Sequence, residues 1–188
     1  MKRFVVALLS AGLICGGWSV MAQQPTRVAS TGGKSPHETT SAVIARDRVT
    51  ITYGRPFTKD PRTGAPRKIW GGVVPYGKAW RFGADEATLL TTQKPLIIGA
   101  TTIPAGAYTL YFIPEESGAS KLAFSKALGG WGIPVDEQND LARVDAAKED
   151  LTAPVDQLTV KVAKKDEGGV IEISWENTKY SVAFTVQK

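Results

Sequence analysis

The chemically richest stretch of the chain is Trp80-Arg81-Phe82-Gly83-Ala84-Asp85-Glu86, which sets an indole, a guanidinium and two carboxylates side by side. A guanidinium and a carboxylate can clamp a polar group through charge-assisted hydrogen bonds, so Arg81 and Glu86 could hold a ligand against Trp80 as an apolar wall. The bland alternative is a core tryptophan beside a structural ion pair. Arg55, between Gly54 and Pro56, carries the same two readings, an anion contact or a loop salt bridge. His37 is the one histidine in the sequence and Cys15 the one cysteine. His37 with Glu86 could do acid–base work, or His37 could simply bond locally where it opens a strand. A lone imidazole falls short of the several His or Cys ligands that zinc usually takes, and no metal or other cofactor is expected. The nucleophile elbow, the phosphate-binding Gly-Lys loop, HExxH and paired CxxC motifs are all missing from the sequence. Trp70, Tyr76, Trp80 and Trp131 fall in or beside loops, where flat rings could stack on sugar faces or plug the open end of a β domain.

Extended segments must carry these residues. Residues 48–53 (RVTITY) alternate, with Val49, Ile51 and Tyr53 on one face. Similar β patterns cover 39–44, 80–92, 96–98, 107–113, 121–125, 157–163, 170–175 and 180–186. In 80–92, alternation would put Ala87, Leu89 and Thr91 on one face. It would also separate Trp80, Phe82 and Ala84 from Arg81, Gly83 and Asp85, unless Gly83 bulges. Residues 141–150 suit a helix by the spacing of Leu141, Val144 and Ala147, but the context favours a strand. Turns are expected at Arg46-Asp47, Gly168-Gly169 and Asn177-Thr178. Residues 59–68 form a basic Pro/Gly loop, 69–77 a packed apolar loop, and 128–140 a second long loop. The pattern predicts an all-β fold, a single antiparallel β-sandwich or jelly-roll-like domain of about nine strands. No long helical pattern is present to build a parallel α/β sheet.

The formal net charge is +5, and Lys2 and Arg3 supply two of those charges. The remaining +3 is ordinary for solubility, and no basic run exists, so nucleic acid is not an expected partner. Lys2-Arg3 followed by apolar residues 4–14 has the form of a signal peptide, too short to span a bilayer, with cleavage expected after Ala22. Cys15 raises lipoprotein anchoring as a rival, but Ile14 stands where a lipid-attachment box wants a small residue. The expected organisation is a signal peptide over 1–22, a flexible leader over 23–35 and a β domain over 36–188, periplasmic or secreted. No other segment is apolar enough for a transmembrane helix. Without a second cysteine the mature domain has no disulfide, and it must rest on its core.

Six ordered motifs carry a resemblance: Ser35-Pro36-His37-Glu38-Thr39, Ile51-Thr52-Tyr53-Gly54-Arg55-Pro56, residues 69–77 (IWGGVVPYG), residues 80–88 (WRFGADEAT), residues 103–110 (IPAGAYTL) and Trp131-Gly132. In these the chain resembles the domain-of-unknown-function family 2911 of exported bacterial proteins, over nearly the whole mature chain. It departs from the family pattern at Asp85, where Asn is usual, and at Phe57, where Tyr is usual. The resemblance implies a secreted or envelope β-rich domain with no established activity. Its motifs fall mainly on His37, Arg55, the loop leading to Tyr76, Trp80, Arg81 and Glu86. The expectation is a binding module in which Arg55 and Arg81 hold anionic or hydroxyl groups, Trp80 and Tyr76 supply an apolar wall, and His37 and Glu86 orient a small polar molecule, peptide or glycan. The alternatives are a hydrolase-like enzyme using His37 and Glu86, or a purely structural envelope protein.

Overall fold

The computed structural model describes residues 27–28 and 35–187; the expected signal peptide lies outside them. Every element among the described residues is a strand: β1 Arg27–Val28, β2 His37–Ile44, β3 Asp47–Gly54, β4 Thr88–Thr92, β5 Leu96–Ile98, β6 Thr101–Ile103, β7 Gly106–Ile113, β8 Ser120–Ser125, β9 Asp140–Lys165 and β10 Gly168–Val186. No helix there is long and apolar enough to cross a membrane. All pairings between strands are antiparallel, and the order is β1-β2-β3-β4-β7-β8-β9-β10-β5-β6. The all-β expectation therefore holds, in the form of one continuous sheet folded over one main core, with a smaller cluster of Tyr111, Ile113 and Ala123 beside it. That core draws on both ends of the strand order, from Ile44, Ile51 and Tyr53 to Leu96, Tyr180 and Phe184.

The fold-over is made by β9. Its first part pairs with β8 through Ala146, and its later part pairs with β10. Between Asp150 and Val155 the register with β10 breaks, leaving residues 151–154 opposite Asn177 alone. Pro154 falls in that bulge, where its missing N–H interrupts no ladder. Glu176, paired with Val155 at the edge of the bulge, takes a left-handed backbone (φ 53°). The turn expected at Asn177-Thr178 is thus a bulge inside one long strand, because the surplus residues sit on β9.

Beyond the bend, the free side of β9 meets the end of β3. Leu158 N–H donates to the Pro56 carbonyl (2.9 Å) and Val162 N–H to Thr40 Oγ1 (3.2 Å). The Tyr53 hydroxyl accepts from Val160 N–H (2.8 Å) and donates to Val160 C=O (3.2 Å). Side chains thus close a sheet edge that would otherwise face the core unpaired.

Two other expectations need correction. The segment 80–92 is not one strand: only Thr88–Thr92 pairs continuously, and Trp80 makes an isolated bridge to Phe112. In β4 the inward face is Thr88, Leu90 and Thr92, while Leu89 faces solvent. Both faces of that strand are similarly apolar, and what selects one is Asp47, fully buried, which accepts from Thr92 Oγ1 (2.7 Å) and Gln93 N–H (2.9 Å). The hairpin turns also sit one or two residues earlier than expected. Ala45 and Arg46 both have positive φ, as does Asp166. Gly168 and Gly169 belong to β10, where a Cβ would collide with the Phe184 carbonyl oxygen and with Ile44 respectively. Their smallness serves close packing rather than turning. Residues 141–150 are strand, as the context indicated, and Arg27–Val28 pair with β2 inside the stretch expected to be a flexible leader.

Gly54 links this framework to the loop that follows Trp80. A Cβ there would penetrate the carbonyl oxygen of Ala84, which is backbone and cannot step aside. Gly54→Ala should therefore lower stability by about 1–3 kcal/mol, the usual range for overpacking. Urea unfolding checks this: a midpoint equal to wild type would contradict the packing.

Candidate functional site

Residues 81–86 form a tight loop, not an extended strand. Phe82 (φ 56°) and Asp85 (φ 63°) both take the left-handed backbone conformation. For a buried aromatic such a backbone costs on the order of 1–3 kcal/mol, and it persists only where the surroundings enforce it. Here Thr88 Oγ1 donates to the Phe82 carbonyl (2.6 Å), and Ala84 N–H donates to the Gly54 carbonyl (3.3 Å). The Phe82 ring is sealed in the core between Trp80 and Phe112. Asp and Asn tolerate the left-handed region better than most residues, which fits Asp85 at its position.

The loop carrying Trp131 packs against this one. Ala87 N–H donates to the Gly130 carbonyl (3.2 Å), and Gly132 (φ 72°) lies against Arg81 and Ala87. Arg81 Nη1 donates to the carbonyls of Asp85 (2.9 Å) and Trp131 (3.2 Å), and its guanidinium lies 5.8 Å from the Trp131 ring centroid, a cation–π distance. Burial draws the Arg81 guanidinium below the ordinary arginine value, with the Asp85 and Glu86 carboxylates opposing.

Between these loops and residues 56–73 lies an open cleft of about 560 Å³. Its apolar walls include Phe57, Trp80, Trp131 and Trp175, and its charged lining is Arg62, Arg67, Arg81 and Asp85. Trp80 and Trp175 stack with ring centroids 5.8 Å apart. Trp131 is 53% exposed, whereas Trp175 is 1% exposed. Arg67 is anchored by bonds to the Phe57 and Thr58 carbonyls, while Arg62 is exposed.

The residues singled out from the sequence divide into three groups. Trp80 and Arg81 line the cleft. His37 and Glu86 meet each other: the Nε2 of His37 lies 2.5 Å from Glu86 Oε2, with side chains 12% and 57% exposed. The backbone N–H of Glu86 itself is the main cause that holds its carboxyl below the usual 4.5; burial opposes it, and His37 and then Arg81 add to the lowering. The pair is not among the cleft-lining residues, but Ser35 and Asp85, close to it in sequence, are. Arg55 and Tyr76 are placed elsewhere. Arg55 points inward, with Nη1 2.6 Å from Glu38 Oε2, Nε donating to the Leu158 carbonyl (3.0 Å) and Nη2 to Thr159 Oγ1 (2.9 Å). Tyr76 packs its ring on Gly71 and does not line the cleft. Trp70, also noted as a loop aromatic, is buried, and its Nε1 donates to the Trp175 carbonyl (3.1 Å). Among the described residues no group of three or more His, Cys, Asp or Glu side chains could hold a metal ion.

Sequence reasoning missed Trp175, Phe57, Arg62 and Arg67 as wall residues. The basic loop 59–68 was a visible signal for the two arginines. Nothing in the alternation of 170–175 marks Trp175 as more than a core residue.

The fold and cleft define an all-β protein with an aromatic, arginine-lined surface site. By its sequence the chain belongs to the family described as "Protein of unknown function (DUF2911)", whose model matches residues 35–184. No curated protein and no solved structure matches the chain.

The Glu38–Arg55 pair is buried on both sides, at 7% and 8% side-chain exposure. Removing one charge from such a pair strands the other, at about 3–5 kcal/mol. Glu38→Gln should therefore lower the denaturation midpoint sharply. A change under about 1 kcal/mol, the range of an exposed pair, would contradict this placement.

Proposed function

We propose that the protein is an exported, non-enzymatic binding module that holds a small polar molecule, peptide or glycan in the cleft between Trp80, Arg81 and Trp131. The supporting observation is the cleft itself, in which tryptophan faces and guanidinium groups share one accessible concavity. Small-molecule sites typically span about 300–1,000 Å³ and combine apolar walls with a few convergent polar groups. The strained loop that carries Arg81 also fits a site, since left-handed non-glycine residues gather where geometry matters more than local stability. The signal-like N-terminus supports a periplasmic or secreted location for the module.

A hydrolytic reading has the His37–Glu86 contact in its favour. Glu86 held ionised is poorly suited to be the general acid, since an effective acid has its pKa raised toward the working pH. In that reading Glu86 would orient His37 as the base, and no nucleophile stands out beside them.

A ligand library screened by thermal shift tests the proposal. A ligand at 100 times its dissociation constant stabilises by about 2.7 kcal/mol, which a melting curve resolves. Trp131→Ala, which removes a half-exposed ring and its cation–π contact with Arg81, should lower the unliganded melting temperature only slightly and abolish the ligand-induced shift. The proposal is overturned if no library member shifts the wild type, or if hits shift Trp131→Ala equally. Turnover of a hit, lost in His37→Ala, would replace it with the hydrolytic reading.

A further inference from the structure

Apolar side chains scattered singly over a surface mean little, but a cluster of them marks an interaction site. Among the described residues seven large hydrophobic side chains are exposed, and five of them gather around one cleft. Phe57, Val73, Trp131 and Ile133 border it, and Leu128 stands outside its lining on the same loop as Trp131 and Ile133. Leu128, Trp131 and Ile133 are 56%, 53% and 63% exposed. No charged residue interrupts residues 127–135 (ALGGWGIPV). Between the large side chains Gly129, Gly130 and Gly132 take positive φ (80°, 87° and 72°). A Cβ would meet open space at the first two, so glycine there serves the turn and not close packing. The main chain of the loop is nonetheless held to the body: the Gly130 carbonyl accepts from Ala87 N–H (3.2 Å) and the Trp131 carbonyl from Arg81 Nη1 (3.2 Å).

The facing loop, residues 59–68, is basic. It carries Lys59, Arg62, Arg67 and Lys68 against Asp60 alone, and Lys59, Arg62 and Lys68 are exposed. The Asp60 carboxylate is already occupied by the backbone N–H groups of Arg62 (2.8 Å) and Thr63 (3.0 Å). The acids that follow the apolar loop are occupied too. Glu137 lies 2.6 Å from Arg143 Nη2, and Asp136 accepts from Asn139 Nδ2 (2.8 Å) and Gln138 N–H (3.0 Å).

The geometry points to a peripheral membrane contact: the 128–133 loop tip enters the headgroup boundary of a bilayer rich in anionic phospholipid, and the 59–68 loop binds the headgroups beside it. Two observations select this partner. A soluble ligand within the cleft would leave Leu128 in water, since that side chain stands outside the cleft. A protein partner is disfavoured by the lysines, which are depleted at protein–protein interfaces but are favoured beside anionic lipid. Apolar tips with a tryptophan among them, flanked by cations, match the layering of a bilayer surface, where indole sits at headgroup depth.

The test uses the processed protein recovered after export, mixed with vesicles of phosphatidylcholine alone or of phosphatidylcholine and phosphatidylglycerol in equal parts. Co-sedimentation gives the affinity. The anionic vesicles should bind at least about tenfold more tightly, since each basic residue near an anionic surface is worth roughly a factor of five. Lipids brominated on their acyl chains should quench tryptophan emission, and Trp131→Phe should remove most of that quenching while the protein still sediments. Leu128→Asn combined with Ile133→Asn alters exposed side chains only. It should leave the urea midpoint unchanged and weaken vesicle binding by about tenfold or more. Arg62→Gln combined with Lys68→Gln should weaken binding to the anionic vesicles several-fold and flatten its salt dependence. The inference is overturned if the protein sediments with neither vesicle or equally with both, if it binds without quenching, or if the Leu128 and Ile133 variant binds like wild type. It is also overturned if gel filtration shows a dimer that this variant loses while no vesicle is bound, which would assign the patch to a second copy of the chain. None of these readouts depends on a ligand in the cleft.

Discussion

A sheet that folds back over its own core must deal with the edge it turns inward. In this protein that edge is the later part of β9, and side chains close it where a further strand would otherwise be needed. Thr40, Tyr53, Arg55 and the Pro56 carbonyl meet the backbone of residues 158–162 in turn. The Tyr53 hydroxyl both donates and accepts there, the role a paired strand would have filled twice. The Glu38–Arg55 ion pair sits in the same seam. Its desolvation is costly, and the pair is tolerable because the guanidinium is satisfied on three sides, by Glu38, Leu158 and Thr159.

The cleft is a consequence of this seam. Closing β3 onto β9 fixes Gly54-Arg55-Pro56, and Gly54 is the platform on which Ala84 rests. With Gly54 and Thr88 holding both ends, the 81–86 loop can keep Phe82 and Asp85 in a backbone conformation they would not choose alone. That conformation turns Arg81 toward the Trp131 loop, and the two loops together wall the cleft. His37 pairs with Gly54 across β2 and β3, which brings its imidazole to Glu86 at the end of the same loop. Arg55 is thus part of the support for the site and not part of its surface.

Much of the framework was legible because burial alternates along most strands. Residues 48–53 and 157–163 show it plainly, and their inward residues are the ones that alternation names. The fold-over was not legible, because it depends on a bulge that contains Pro154 and on hydroxyl-to-backbone bonds between residues more than one hundred positions apart. Alternation groups Leu89 with Thr91, as the structure has them, but which face of β4 turns inward was not legible, because Leu89 and Leu90 are equally apolar and a buried Asp47 decides between them. Gly168 and Gly169 resembled a turn because glycine serves two purposes, positive φ and close approach, which a sequence does not distinguish. At the site, Trp80, Arg81 and the His37–Glu86 contact were accessible from residue type and from the family pattern. Phe82's left-handed backbone was not, since nothing in a Phe suggests it, and without that turn the segment reads as a strand. Trp175 was hidden for the opposite reason, since it looks like the core residue it also is.

Thr40, Tyr53, Arg55 and the Pro56 carbonyl together seal the inner edge of β9. Native-state hydrogen exchange of the Leu158, Val160 and Val162 amides tests it most directly. Amides held in a closed seam exchange only when the domain opens, so all three should show protection near the global unfolding free energy. Exchange at these positions many-fold faster than at the β9–β10 ladder amides would show an open edge and rule out a closed seam.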